Sequence, residues 1–79
     1  MDTKTSQALE LFKQNKFKDS FKIFKTFKMG FTKEEQRIIS IAYQCLSGKS
    51  LFYKQLGIDP EQSIKEAKQI INDKYKINQ

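Results

Sequence analysis

Apolar residues recur every three or four positions along most of this chain, which is the helical period. The pattern predicts five helices. The first spans about 2–14, where Ala8, Leu9, Leu11 and Phe12 form one apolar arc, broken by Asn15 and Lys16. The second spans about 17–29. At about 100° per residue, Phe17, Ser20, Phe21, Ile23, Phe24 and Phe27 fall on an arc of roughly 160°. Gly30 follows as a C-terminal stop. The third spans about 33–47 and opens with a capping box, Thr32 at N-cap and Glu35 at N3. Phe31 is placed as a hydrophobic staple. Ile38, Ile39, Ile41, Ala42, Tyr43, Cys45 and Leu46 cover about 200° of this helix, so it is expected to be central and contacted on two sides. Gly48 ends it. The fourth is short, 51–56, with Ser50 as N-cap and Gly57 as stop. The fifth, 60–75, starts at Asp59-Pro60-Glu61-Gln62: an N-cap acid, proline at N1 and a side-chain acceptor at N3. Ile64, Ala67, Ile70, Ile71 and Tyr75 face inward, and residues 76–79 are expected to fray.

Composition agrees with helices and removes the alternatives. Three glycines and one proline in 79 residues are too few turn formers for a small sheet protein. Seven phenylalanines and a hydrophobic fraction of 38% are too many for a disordered chain. No linker or low-complexity tract separates the elements. The expected fold is therefore all-α: one domain over 1–79, a compact bundle of four to five short helices built from antiparallel hairpins. So short a chain buries only roughly 60% of the surface its unfolded form exposes, so its stability is thin, and a homodimer would ease that. The lone Cys45 excludes an internal disulfide. No apolar run is long enough to span a membrane, and the first residues lack a signal-peptide core. The expected setting is the reducing cytoplasm.

Charge changes the picture more than composition does. The net charge is +6, from 15 basic and 9 acidic residues. Residues 13–28 hold six lysines and one acid, Asp19, which gives that segment +5 and leaves +1 for the rest. Lys18, Lys22 and Lys25 recur at i, i+4, i+7 and form a row opposite the Phe arc. Lys16 precedes the row. Lys28, at its far end, can snorkel outward and favour the negative helix terminus. The candidate basic surface is thus Lys16, Lys18, Lys22, Lys25 and Lys28.

Chemistry that needs specialised side chains is hard to find. The chain has no histidine, so it lacks the commonest general base, the Ser-His and Cys-His pairs and the commonest transition-metal ligand. Cys45 lies on an apolar arc and is expected to pack as a small hydrophobe. Gly48-Lys49-Ser50 lacks the upstream glycine and the preceding strand that a phosphate loop needs, and a helix stop followed by a helix cap accounts for it. Glu34, Glu35, Asp59 and Glu61 are explained by helix-start electrostatics, and no spacing resembles a calcium loop. No catalytic residue, cofactor or metal site is expected, and the chain is not expected to be an enzyme. Phe52 and Tyr53 are adjacent among Lys49 and Lys54 and cannot both face inward, so Tyr53 is a candidate exposed aromatic contact, able to stack on a base or fill a partner's pocket.

Ala8, Leu11, Phe17, Ser20 and Phe24 occupy spacings at which the first helical pair resembles a tetratricopeptide-repeat hairpin. Asn15-Lys16-Phe17-Lys18-Asp19-Ser20 resembles that family's inter-helix turn, with Asn15 where glycine is usual. The pattern departs at Lys4, where an aromatic is usual, at Phe27, where a small residue is usual, and at Thr32, where proline is usual. The resemblance covers residues 1–31, and later helices repeat it poorly. It implies peptide or protein binding in a helical groove.

These features predict a small, basic, non-catalytic binding module: a protein-protein adaptor, or an inhibitor of a partner macromolecule whose surface is acidic. The alternative is a nucleic-acid-binding accessory protein that sets the lysine-rich second helix against DNA or RNA phosphates. With Arg37 as the only arginine, base-specific reading looks poor. A membrane-surface role is disfavoured, because so small a core needs the Phe arc for itself.

Overall fold

The computed structural model describes residues 3–27 and 30–76. They form five α-helices and no strand. These are α1 (Thr3–Lys13), α2 (Phe17–Phe24), α3 (Lys33–Gln44), α4 (Ser50–Gln55) and α5 (Pro60–Tyr75), with a kinked segment, Cys45–Lys49, joining α3 to α4. The all-α class read from periodicity therefore holds.

The hairpin of α1 and α2 is closed by local chemistry. Asn15 takes a left-handed conformation (φ 65°). Its N–H donates to the Phe12 carbonyl and the Lys16 N–H to the Leu11 carbonyl, at 3.1 and 2.9 Å. That is a Schellman closure, which satisfies two carbonyls that the end of α1 would otherwise leave open. The chain then folds back so that two small buried residues meet. Ser20 Oγ donates to the Ala8 carbonyl across the interface at 2.9 Å. Small residues let the helices approach, and the hydroxyl is satisfied where no water reaches it. Phe12 packs edge-on against Phe17 beside this contact. Leu9 and Leu11 are both half-buried, and Leu9 packs against the core.

Helix α2 ends at Phe24, earlier than its periodicity implies, and Lys28 and Met29 lie outside the described residues. Thr26 Oγ1 donates to the Ile23 carbonyl at 2.7 Å. The N–H groups of Thr26 and Phe27 reach back three residues rather than four. Such tight closing bonds and a Thr side chain competing for a backbone carbonyl stop an α-helix. Gly30 (φ 92°) is consequently a linker residue, not the stop. The chain instead turns at Phe27, whose carbonyl accepts from Gln36 Nε2.

Helix α3 lies centrally and packs against both α2 and α5. Its capping box forms as read: Thr32 Oγ1 accepts from the Glu35 N–H at 3.1 Å, and Glu35 accepts from the Thr32 N–H at 3.0 Å. Phe31 does not act as a staple, because the residue it would need at N4 is Gln36. Its ring lies among Phe24, Phe27 and Tyr75, at centroid distances of 5.9, 6.2 and 6.4 Å. Phe24 also meets Phe27 and Tyr75, at 5.3 and 5.6 Å. This four-ring cluster joins the end of α2, the start of α3 and the end of α5. Lys74 fastens its rim: Nζ donates to the Gly30 carbonyl, sits 3.3 Å from Glu35 Oε1, and lies over the Phe31 ring. The pairing of the start of α3 with the end of α5 makes these helices antiparallel. Asp59 Oδ1 caps α5 by accepting the Glu61 N–H at 3.1 Å, with Pro60 at the first helical position. Gln62 turns away from the cap and donates to Glu66.

The core is Ala8, Phe12, Phe21, Phe24, Ile39, Ala42, Ala67 and Ile71. Among the described residues no buried side-chain polar atom lacks a hydrogen-bond partner.

Candidate interaction surface

One element contributes nothing to that core. Helix α4 buries none of its residues. Leu51, Phe52 and Leu56 are exposed at 66%, 53% and 61%, and Leu46 in the segment before α4 is exposed at 37%. One local feature directs the chain this way. Within Cys45–Lys49 it kinks at Gly48, which is left-handed (φ 106°, ψ 7°). There the chain leaves the axis of α3, and α4 begins with Lys49, not Ser50, at N-cap, without a side-chain cap. Gly57 (φ 87°) closes α4 by a second Schellman pair: its N–H donates to the Lys54 carbonyl, and that of Ile58 to the Tyr53 carbonyl, at 3.0 and 2.9 Å.

Helical geometry decides what α4 shows. Leu51, Phe52 and Leu56 fall within an arc of about 140°, and Tyr53 lies about 60° beyond it. Ser50 and Tyr53 are the half-buried pair and define the inward side. The Tyr53 hydroxyl donates to Gln44 Oε1 at 2.6 Å, which pins α4 to the end of α3. Tyr53 is therefore an anchor. The exposed aromatic is its neighbour Phe52, held edge-on to Tyr53 at 5.2 Å. Beside α4 a cleft opens toward the start of α5, with Cys45, Leu51, Pro60 and Ile64 as its apolar lining and Lys54, Asp59 and Glu61 at its rim. Cys45 is buried, and burial pushes its thiol pKa up, which disfavours the nucleophilic thiolate.

The basic surface has a different character. Lys16, Lys18, Lys22 and Lys25 are all exposed. Only Lys18 and Lys22 stand on α2 itself: Lys16 is its N-cap residue and Lys25 its C-cap. The Lys25 ammonium lies 5.2 Å from the centre of the Tyr43 ring. Lys28, the fifth member of the set, falls outside the described residues. Lys16, Lys18 and Lys22 take part in no ion pair among the described residues. Leu46 borders a hollow lined by Asn15, Lys16, Phe17, Lys18 and Asp19.

The exposure of Leu51, Leu56 and Leu46 escaped the sequence reading. Periodicity assigned Leu46 to the central helix and left Leu51 and Leu56 without a role. The available signal was a six-residue helix carrying four large apolar side chains with no facing element to bury them all.

Among the described residues, no group of three or more potential metal-ligating Asp, Glu or Cys side chains comes together. No helix there is long and apolar enough to cross a membrane. Compared with known proteins, the chain matches no family model, no curated protein and no solved structure.

Proposed function

We propose that this chain is a small non-catalytic binding module that docks a protein partner on the face of α4, as an adaptor or as an inhibitor. The observation that carries this reading is the exposure of Leu51, Phe52 and Leu56 on a helix that buries nothing. Fully covering a side chain of this size is worth about 1.5–3 kcal/mol. Three of them hold a reserve comparable to the few kcal/mol that one small core supplies. Contiguous apolar surface of this kind marks interaction sites, and a large aromatic at its centre is a common energetic anchor. A tetratricopeptide-like reading of α1 and α2 points to the same class. In that reading the Ala8–Ser20 contact is the crossing of small residues, and left-handed Asn15 stands where that family favours glycine.

The test is affinity capture from cell extract with the wild type and with the Leu51→Asp/Leu56→Asp double variant. The variant keeps the wild-type melting curve and loses the partner. Undiminished capture by a folded variant would sink the reading.

A second reading draws on the exposed lysines without ion-pair partners. Nucleic-acid binding through Lys18, Lys22 and Lys25 is then lost on their reversal to Glu, and wild-type affinity falls steeply from about 50 to about 200 mM salt.

A further inference from the structure

We infer that the occupant of the α4 face is an amphipathic helix of another protein, with carboxylates flanking its apolar stripe. This rests on the reading of α4 as a docking face and names the chemistry of what docks there. The shape is that of a helix-in-groove contact: Leu51, Phe52 and Leu56 form a short apolar ridge, and the cleft beside it, floored by Cys45 and Ile64, takes one large side chain.

Charge selects the flanks. From 45 to 58 the chain carries two lysines, Lys49 and Lys54, and no acid. Both are exposed. In the segment that leads into α4, Leu46 adjoins exposed Lys16 and Lys18. None of these four lysines is in an ion pair among the described residues. The acids in reach are Asp19 in the Leu46 hollow and, across the cleft, Asp59 and Glu61; Asp59 is already engaged as the cap of α5. A partner carboxylate over Lys49 or Lys54 therefore meets cations, and one over the start of α5 meets repulsion. That fixes an orientation as well as a sign.

Other occupants fit this surface less completely. A nucleic acid answers the lysines but gives Leu51 and Leu56 nothing to pack on. An anionic bilayer answers both, yet it is flat, while this face has a cleft whose far wall carries Asp59 and Glu61. A second copy brings the same lysines against these and adds another +6 of charge.

The experiment uses the full chain and a display library of helical peptides about 15 residues long, enough to hold a helix. Apolar residues stand at i, i+3, i+4 and i+7, and the flanks are drawn equally from Glu, Lys and Gln. The expected selection is enriched in Glu, with amide shifts concentrated on residues 46–64. Lys49→Glu/Lys54→Glu, still folded, weakens those peptides about tenfold or more, and Leu51→Asp/Leu56→Asp abolishes them. Lysine-flanked or neutral winners on the same face overturn the acidic partner and leave the docking face standing. Leu51- and Leu56-dependent binding to phosphatidylglycerol vesicles without peptide selection replaces the partner with a bilayer. Self-association lost on the same substitutions replaces it with a second copy. No peptide selected, together with cell-extract capture indifferent to Leu51 and Leu56, sinks both this proposal and the reading it rests on.

Discussion

Two eleven-residue stretches of this chain are built from similar materials and end in opposite environments. Residues 21–31 carry Phe21, Ile23, Phe24, Phe27, Met29 and Phe31 among three lysines. Residues 46–56 carry Leu46, Leu51, Phe52, Tyr53 and Leu56 among two. In the first stretch Phe21 and Phe24 are fully buried, and Phe24, Phe27 and Phe31 cluster with Tyr75. In the second no large side chain is buried. The difference is not apolar content. The first stretch meets α5, which brings Tyr75 and Lys74 to it from more than forty residues away. The second contains Gly48, where the chain turns off the central helix. A stretch of this composition is core where another element faces it and exposed surface where none does.

The sharpest way to break that contrast is to truncate one ring in each stretch. Phe24→Ala removes a fully buried ring and should cost about 3–5 kcal/mol, enough to unfold a domain this small. Phe52→Ala and Leu51→Ala should change stability by no more than about 0.5 kcal/mol. Urea titrations followed by circular dichroism read both. If Phe52→Ala proves as damaging as Phe24→Ala, α4 is part of the core and the docking face does not exist.

Next in size is the turn that separates the two regions. A Cβ built at Gly48 meets nothing within 4 Å, so only its left-handed backbone resists substitution. Gly48→Ala should cost about 1–2 kcal/mol and act mainly on α4. Hydrogen exchange should rise in 46–57 and stay unchanged around Phe24. Equal loosening at both ends would mean that the two regions unfold as one unit.

Much of this division was legible from residues and some was not, for physical reasons. Thr32 with Glu35, Asp59 with Pro60, and Gly57 each declare a helix end through bonds made within a few residues, and all three form. Ser20 sits on the inner arc of its helix in the sequence and in the fold. The end of α2 was hidden because periodicity continues through Phe27 while the backbone is already tightening behind Thr26. The inward side of α4 was hidden because six residues are too few for a period to point anywhere. Its direction is set by Gln44, which takes the Tyr53 hydroxyl and thereby leaves Phe52 outside. The lysine row was read correctly as exposed as far as the residues are described, but a row of exposed charges does not by itself distinguish a binding surface from a solvated one.

A smaller effect probes the hairpin on which the Phe-rich end is mounted. Ser20→Ala keeps the helices close but removes the buried hydrogen bond to the Ala8 carbonyl, at a cost of about 1 kcal/mol. The cost should appear in global stability, because this contact lies inside the core. A neutral Ser20→Ala would show that close approach of the small residues suffices without the hydroxyl.

The smallest effect is pH-dependent and belongs to the rim of the ring cluster. The Glu35 carboxyl is held below its ordinary pKa chiefly by the Thr32 N–H it accepts; desolvation, the next influence in size, opposes this, and the Lys74 ammonium adds to the lowering through its hydrogen bond and its charge. A carboxylate whose folded pKa is depressed adds stability above its unfolded pKa, and that contribution is lost as pH falls through the folded value. Glu35→Gln keeps a carbonyl for the capping box and removes the charge. Near neutral pH it should melt below the wild type, by less than about 1 kcal/mol because the pair is partly exposed. In buffer more acidic than the folded pKa the two proteins should melt together. The charge acts on the junction of α3 with α5, so the same pH change should leave hydrogen exchange in α4 unaltered. If acid instead loosens α4 first, the two ends are coupled through α3, and the docking face responds to the protonation of a carboxylate at the far end of the central helix.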